Sequence, residues 1–274
     1  MYPILFKIGS IPVYSFGLMM GLGFILGSAV LTKELKRKGI DPNLSSTITL
    51  LAILLGLAGS KVLYVIEDWN VFVRQPSIVF SPGGLTWYGG FVLAAGAIFY
   101  YVRKKGIPFL RIADATSPGL MLGYGIARIG CHLSGDGDYG MPTDLPWATV
   151  YSNGTYPPSL AFREFPAIIQ KYGVDGVVPD SIPVHPAPVY ECIAGVLLFF
   201  ILWTFRKKIA QDGKIFMLYL MFAGIARFLV EYIRINPRLL FGLSEAQLIS
   251  LCIVIIGVIG FISLSKREQL PLAP

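Results

Sequence analysis

Long apolar stretches separated by short polar, glycine-rich or basic joints set the pattern of this chain. A membrane-crossing helix needs about 20 predominantly apolar residues, within a range of about 17–25. Seven stretches meet that need to different degrees: residues 14–31, 45–66, 87–102, 113–129, 189–205, 215–232 and 248–264. The fourth is the most interrupted, by Asp114, Pro118 and several glycines. The pattern predicts an all-α integral membrane protein with seven transmembrane helices, forming one domain over residues 1–274. One polar interval is far longer than the rest. Residues 132–188 are rich in Gly, Pro, Asp and Tyr, yet also hold Trp147, Val150, Tyr151, Tyr156 and Phe162. A disordered insert carries few aromatics, so this interval predicts a small folded head between the fourth and fifth spans. In residues 69–82, Trp69, Val71, Phe72 and Ile78 predict a segment lying in the membrane interface.

Composition supports the pattern. Apolar residues make up 54% and charged residues 14% of the 274, against roughly a quarter charged in a soluble domain. That excludes an ordinary soluble fold, a coiled coil and a disordered chain. The formal net charge is +7, and its placement along the chain explains it better than nucleic-acid binding does. Fourteen of the 23 Lys and Arg follow the first span, lie between the third and fourth or the fifth and sixth, or follow the seventh. Six lie in the alternate joints, and Lys61, Arg128 and Arg227 fall inside spans. Positive charge accumulates on the cytoplasmic side. The split therefore predicts a periplasmic N-terminus, a cytoplasmic C-terminus and a periplasmic head. Cys131, Cys192 and Cys252 are scattered and support neither a disulfide framework nor a zinc site. The first residues carry no signal-peptide pattern. No cofactor or metal is expected.

Charges inside a bilayer are expensive, so each one is a functional candidate whose partner must be named. Arg227 and Glu231 stand four apart in the sixth span and share a helix face. Arg128 sits at the outer end of the fourth span, at a similar depth. Planar guanidinium forks suit phosphate, and a phosphate at that depth belongs to a lipid headgroup. Lys61 reads as a snorkelling lysine. Asp114 reads as a cap opening the fourth span, with Pro118 in its first turns. After Arg128 comes the tight segment Gly135-Asp136-Gly137-Asp138-Tyr139-Gly140, which lacks the spaced ligands of an EF-hand loop. The chain's two histidines, His132 and His185, flank the head on the outer side.

Six motifs, in order, resemble the prolipoprotein diacylglyceryl transferase family. They are Pro12-Val13-Tyr14-Ser15-Phe16-Gly17-Leu18-Met19, Gly59-Ser60-Lys61-Val62-Leu63-Tyr64 and Gly83-Gly84-Leu85-Thr86-Trp87-Tyr88-Gly89-Gly90, then residues 125–140, Val184-His185-Pro186-Ala187-Pro188-Val189-Tyr190-Glu191 and Arg227-Phe228-Leu229-Val230-Glu231-Tyr232. The resemblance implies a seven-helix protein of the bacterial inner membrane with a periplasm-facing site. It also implies transfer of the diacylglyceryl group of phosphatidylglycerol to the lipobox cysteine of a preprolipoprotein, with glycerol phosphate leaving. The family pattern has His where Tyr88 stands, Tyr at Phe16, Asn at Cys131, Glu at Asp136 and Tyr at Ala223.

The expected chemistry has three parts. The acceptor thiol must become a thiolate, the departing phosphate must be stabilised, and two long substrates must enter from the bilayer. Arg128 and Arg227 are assigned to the phosphate, with Glu231 orienting Arg227. For the proton, His132 is the first choice, with His185 and Asp136 as alternatives, since Tyr88 is a weak base at its ordinary pKa. Cys131 is placed at the substrate site, as a small buried residue in preference to a transient acceptor. Gly89, Gly90, Gly130, Gly135, Gly137 and Gly140 are expected to leave room for an extended peptide, and Phe16, Tyr88 and His185 to line the substrate site. Two other readings stand beside the transferase: a phospholipid-using paralogue with another acceptor, and a non-enzymatic lipid transporter.

Overall fold

The computed structural model describes residues 1–80 and 84–269. Gly83 of the third motif and the end of the 69–82 segment lie outside the described residues. Strands β1 (Ile4–Ile8) and β2 (Ile11–Tyr14) lead into α1 (Ser15–Arg37) and α2 (Leu44–Glu67). A short α3 (Trp69–Arg74) and a 3-10 turn (Pro76–Phe80) precede α4 (Trp87–Lys104) and α5 (Phe109–Ser134). Next come β3 (Thr149–Val150), α6 (Pro158–Ala161), α7 (Pro166–Tyr172) and β4 (Pro183–Val184), then α8 (Ala187–Phe205), α9 (Lys214–Val230) and α10 (Glu245–Gln269).

Each of the seven expected spans coincides with one of the long helices. Four of them, in α1, α2, α8 and α10, are long and apolar enough to cross a membrane. Their outward faces stay apolar: Leu50, Leu54 and Leu57 on α2, Leu197 and Phe200 on α8, and Ile255, Ile256 and Ile259 on α10 are all exposed. A helix apolar on its outer face needs lipid as its solvent. The chain is a helical membrane protein.

The all-α expectation is corrected by two small antiparallel pairs. β1 and β2 form a hairpin, with Phe6 opposite Val13 and Ile8 opposite Ile11. Its two-residue turn starts at Gly9, whose φ of +61° is what a tight hairpin requires. The segment is apolar at almost every position, so no alternation announced it. The fourth span is corrected at its start. Its helix begins at Phe109, so Asp114 lies in the second turn and is not a cap; it is buried and paired with Lys38 at 3.4 Å. Pro118 is accordingly an interior residue of α5. Lys61 lies over the Tyr64 ring, 5.5 Å from its centroid.

The chain divides into two compact units, Ser28–Ala115 and Met1–Gly27 with Thr116–Pro274. In the first, Leu31, Leu35, Leu44, Ile48, Val102 and Ile112 form a buried cluster. α2 and α4 touch where Gly59 and Gly89 meet, and a Cβ on either glycine would strike the other's carbonyl oxygen. The second unit holds another buried cluster. Tyr139, Tyr151, Phe162, Ile168, Val178 and Val184 bury one another there, with Tyr139 and Tyr151 stacked at 4.6 Å. The 69–80 segment buries no residue in α3 or the 3-10 turn, and Trp69 and Phe80 are exposed.

Candidate active site

Four segments of the second unit bring ionisable groups together: the end of α5, the loop after it, the first turns of α8, and the end of α9 with the turn that follows. Arg128 lies on α5 and Arg227 on α9. Glu191 sits in α8, just past a start held by Ala187-Pro188. Arg234 follows α9, and its backbone pairs with Gly140. Asp136 and Asp138 come from the loop after α5. Gly135 (φ +59°) and Gly137 (φ +90°) turn that loop back toward α5 in a conformation open to few other residues.

The result is an interlocked set of three guanidiniums and three carboxylates. Arg128 pairs with Asp138 and, at 3.4 Å, with Glu191. Arg227 reaches Glu191 at 3.2 Å and Glu231 at 3.0 Å, the expected i,i+4 pair. Arg234 reaches Asp138 at 2.5 Å and Glu191 at 3.2 Å. The Tyr124 hydroxyl donates to Glu191 as well. Glu231 is fully buried and accepts from Asn236 at 2.5 Å and Ser244 at 2.9 Å. Formal charge within the set cancels, which is how six buried or half-buried ions persist together.

Two of the arginines remain reachable. Arg128 and Arg227 keep 18% and 27% of their side chains exposed, against 8% for Arg234. Among the described residues, Arg128 Nη2 and Arg227 Nε make no hydrogen bond. Each can donate to an incoming anion without releasing the carboxylates that aim it. Arg234 and Glu191 form the inner layer that holds them.

The loop carboxylates differ in state. Burial opposes charge on Asp138, but Arg234 and then Arg128 outweigh it and hold its carboxyl down at about 2. For Asp136, burial and the neighbouring Asp138 charge act together and raise its pKa above the usual carboxylate value. Cys131 is buried, and Arg128 donates to its sulfur at 3.7 Å. Donor atoms of Cys131, Asp136 and Asp138 lie within 4.8 Å of one another. A cation there would have to compete with the two guanidiniums already on Asp138, so the group fits a metal poorly.

The structure thus assembles Arg128, Arg227, Glu231, Cys131, Asp136 and Gly140 in one region. His132 lies beside it, its Nδ1 2.8 Å from the Tyr151 hydroxyl. His185 is 3.4 Å from the Tyr190 hydroxyl, accepts the Gly140 N–H at its carbonyl, and has its imidazole pKa lowered by burial. Phe16 packs by its backbone where Gly130 lacks a side chain. Tyr88, Gly89 and Gly90 belong to the other unit, where Tyr88 borders an apolar groove between α2 and α4.

One expectation is overturned. The six glycines do not leave space for a ligand; each faces the protein's own atoms. A Cβ on Gly140 would strike the Ile233 carbonyl oxygen, one on Gly135 would come 2.7 Å from Gly154, and one on Gly130 would come 3.0 Å from the Met19 Cβ. Gly137 meets Tyr156 at 2.7 Å, Gly90 meets the Gly56 oxygen at 2.7 Å, and Gly89 meets Gly59. They are close-packing glycines.

Asp138, Glu191, Arg234 and Tyr124 were not singled out in the sequence as site residues. The spacing of Arg227, Glu231 and Arg234, at four and then three residues, was the available signal, although α9 ends at Val230 and Arg234 is placed by its bridge to Gly140.

Similarity to known proteins agrees with this geometry. The family model described as prolipoprotein diacylglyceryl transferase matches residues 3–263. A phosphatidylglycerol–prolipoprotein diacylglyceryl transferase of Clostridium tetani is 32% identical over 264 residues, covering 95% of this chain and 97% of the relative. One from Clostridioides difficile is 31% identical, with 96% of each covered. One from Bacillus cereus is 30% identical, covering 96% of this chain and 92% of the relative. With the match spanning the helices and the charged cluster alike, the chain belongs to the prolipoprotein diacylglyceryl transferase family.

Proposed function

We propose that this protein transfers the diacylglyceryl group of phosphatidylglycerol to the lipobox cysteine thiol of preprolipoproteins, in the bacterial inner membrane. The reading includes seven spans, a periplasmic N-terminus and head, and a site facing the periplasm. Its support is the 14-to-6 division of basic residues between alternate joints. In the reaction the acceptor thiolate attacks the glyceryl carbon that carries the phosphate ester. A carbon–sulfur bond forms, the carbon–oxygen bond breaks, and glycerol phosphate departs with the electron pair. Arg128 and Arg227 receive the phosphate through Nη2 and Nε, so charge gathering on the leaving group meets fixed guanidiniums. Glu191, Glu231 and Arg234 position those forks.

The thiol proton goes to a group in the loop after α5. Asp136 is favoured over His132. Its raised pKa makes it a stronger base than an ordinary carboxylate, and it lies beside Cys131 and Asp138 at the reachable arginines. His132 instead contacts Tyr151. The single observation that carries the proposal is the pair of half-reachable arginines, each aimed by buried carboxylates and each with a free donor. The test is complementation. Expression in a strain depleted of its own transferase should restore growth and lipid-modified lipoproteins. Production of the membrane-inserted protein without modified lipoproteins overturns the proposal in favour of a different acceptor.

A further inference from the structure

Within Ser28–Ala115, the joint between α1 and α2 and the joint between α4 and α5 border an open cavity of about 440 Å³. Lys105 and Arg111 line it, with the Asp41 carboxylate as the opposing charge. Arg111 Nη2 donates to the Lys38 carbonyl at 2.7 Å, which fixes the guanidinium against the α1–α2 joint. The Lys105 ammonium lies 5.9 Å from the Tyr101 ring centroid. Asp41 is engaged locally, its Oδ1 accepting the Asn43 N–H at 3.0 Å. Both rims turn through left-handed glycines, Gly39 and Gly106, and beside each a Cβ would meet nothing within 4 Å. The mouth is therefore unobstructed. The lining carries a formal charge of +1, complementary to one phosphate monoanion. The cavity stands at the end of α2, an apolar helix long enough to cross the bilayer, and so at headgroup depth. Lys33, Lys36, Arg103 and Lys104 flank the same two joints.

We propose that this cavity binds the phosphate of an anionic phospholipid headgroup and holds that lipid unreacted, as a second lipid site apart from the Arg128–Arg227 cluster. Basic pockets between spans take anionic headgroups, each Lys or Arg near the surface adding to the attraction. The inference rests on α2 crossing the membrane and not on the transfer reaction.

The test counts bound lipid on purified, delipidated protein by native mass spectrometry, with phosphatidylserine and phosphatidylcholine as probes. Measurements in the wild-type and Arg128→Ala backgrounds separate this site from the arginine cluster. Lys105→Gln should weaken phosphatidylserine binding about fivefold and Lys105→Glu about thirtyfold, in both backgrounds. Transfer by the Lys105 variants of the otherwise wild-type protein should be unchanged, so a failed transfer reading and a failed lipid site give different results. Phosphatidylcholine should bind weakly throughout, and 10 mM inorganic phosphate should not displace phosphatidylserine. Equal phosphatidylserine affinity in wild type and Lys105→Glu overturns the proposal. So does phosphatidylcholine binding as tight as phosphatidylserine, or full displacement by inorganic phosphate, which would make the ligand a free anion.

Discussion

Glu191 is the hinge of the charged cluster, and Glu191→Gln tests it with little change of volume. The carboxylate is 3% exposed and receives Arg128, Arg227, Arg234 and Tyr124. A glutamine can keep its oxygen toward Tyr124 and Arg227. Its amide nitrogen then stands where Oε2 met Arg128 Nε at 3.4 Å and Arg234 Nη1 at 3.2 Å, so donors face donors. Two charge-assisted contacts are lost at about 1.5–3 kcal/mol each, which agrees with about 3–5 kcal/mol for breaking a buried ion pair from one side. At about 2–4 °C per kcal/mol for a chain of this size, the unfolding midpoint should fall by about 6–20 °C. Tryptophan fluorescence during heating of the purified protein in detergent measures it. The control is Glu164→Gln, whose partner Arg163 is well exposed; a surface pair of that kind contributes little. A fall of less than about 2 °C for Glu191→Gln, matching the control, refutes the claim that Glu191 ties the arginines together.

Four further outcomes are expected. Arg227→Lys should lower transfer at least about a hundredfold while the protein stays in the membrane, because an ammonium cannot contact Glu191, Glu231 and a phosphate in one plane; near-normal turnover of a lipobox peptide would contradict it. Asp138, with its pKa depressed to about 2, contributes stability that is fully present above about 4 and lost as pH falls toward about 2; Asp138→Asn should therefore unfold well below wild type at pH 6 and alongside it near pH 2, and parallel midpoints at both pH values would contradict the assignment. Asp136 has its pKa raised by burial and the Asp138 charge, so wild-type transfer should decline as falling pH protonates it, at a pH above that of an ordinary carboxylate; Asp136→Asn should be slow at neutral pH and gain with rising pH as the acceptor thiol ionises unaided, and the same profile from His132→Gln with Asp136→Asn normal would return the base to His132. A reporter inserted near Asn153 should label from the periplasm and one near Gly106 from the cytoplasm; reversed labelling would invert the topology.

Hydropathy alone located the helices, because a span must be apolar along its whole length whatever it packs against. The hairpin of residues 4–14 escaped since both its faces are apolar, and a strand without alternation looks like the start of a helix. The same blindness moved the start of the fourth helix. Phe109 to Ile112 already belong to it, while Asp114 looked like a cap because its partner Lys38 lies far away in sequence, just past the end of α1. In the site, Arg128, Arg227 and Glu231 were legible as charges within apolar runs. Arg234 was counted as a joint residue because it follows the end of α9, yet it is among the most buried charges in the chain. Glu191 lies within the expected fifth span, but its partners Arg128, Arg227 and Arg234 come from other segments and nothing in its own stretch announced them. Glycine was legible in position but not in purpose. A glycine shows that something comes close, and only the fold shows that at Gly140 it is the Ile233 backbone.

The most direct test of the transfer reaction uses purified protein, phosphatidylglycerol and a synthetic lipobox peptide, read by intact mass. One diacylglyceryl addition at the peptide cysteine is expected, with equimolar release of glycerol phosphate, abolished by Arg128→Ala and absent when serine replaces the peptide cysteine. Protein that binds phosphatidylglycerol but leaves every cysteine-bearing lipobox peptide at its starting mass would contradict it.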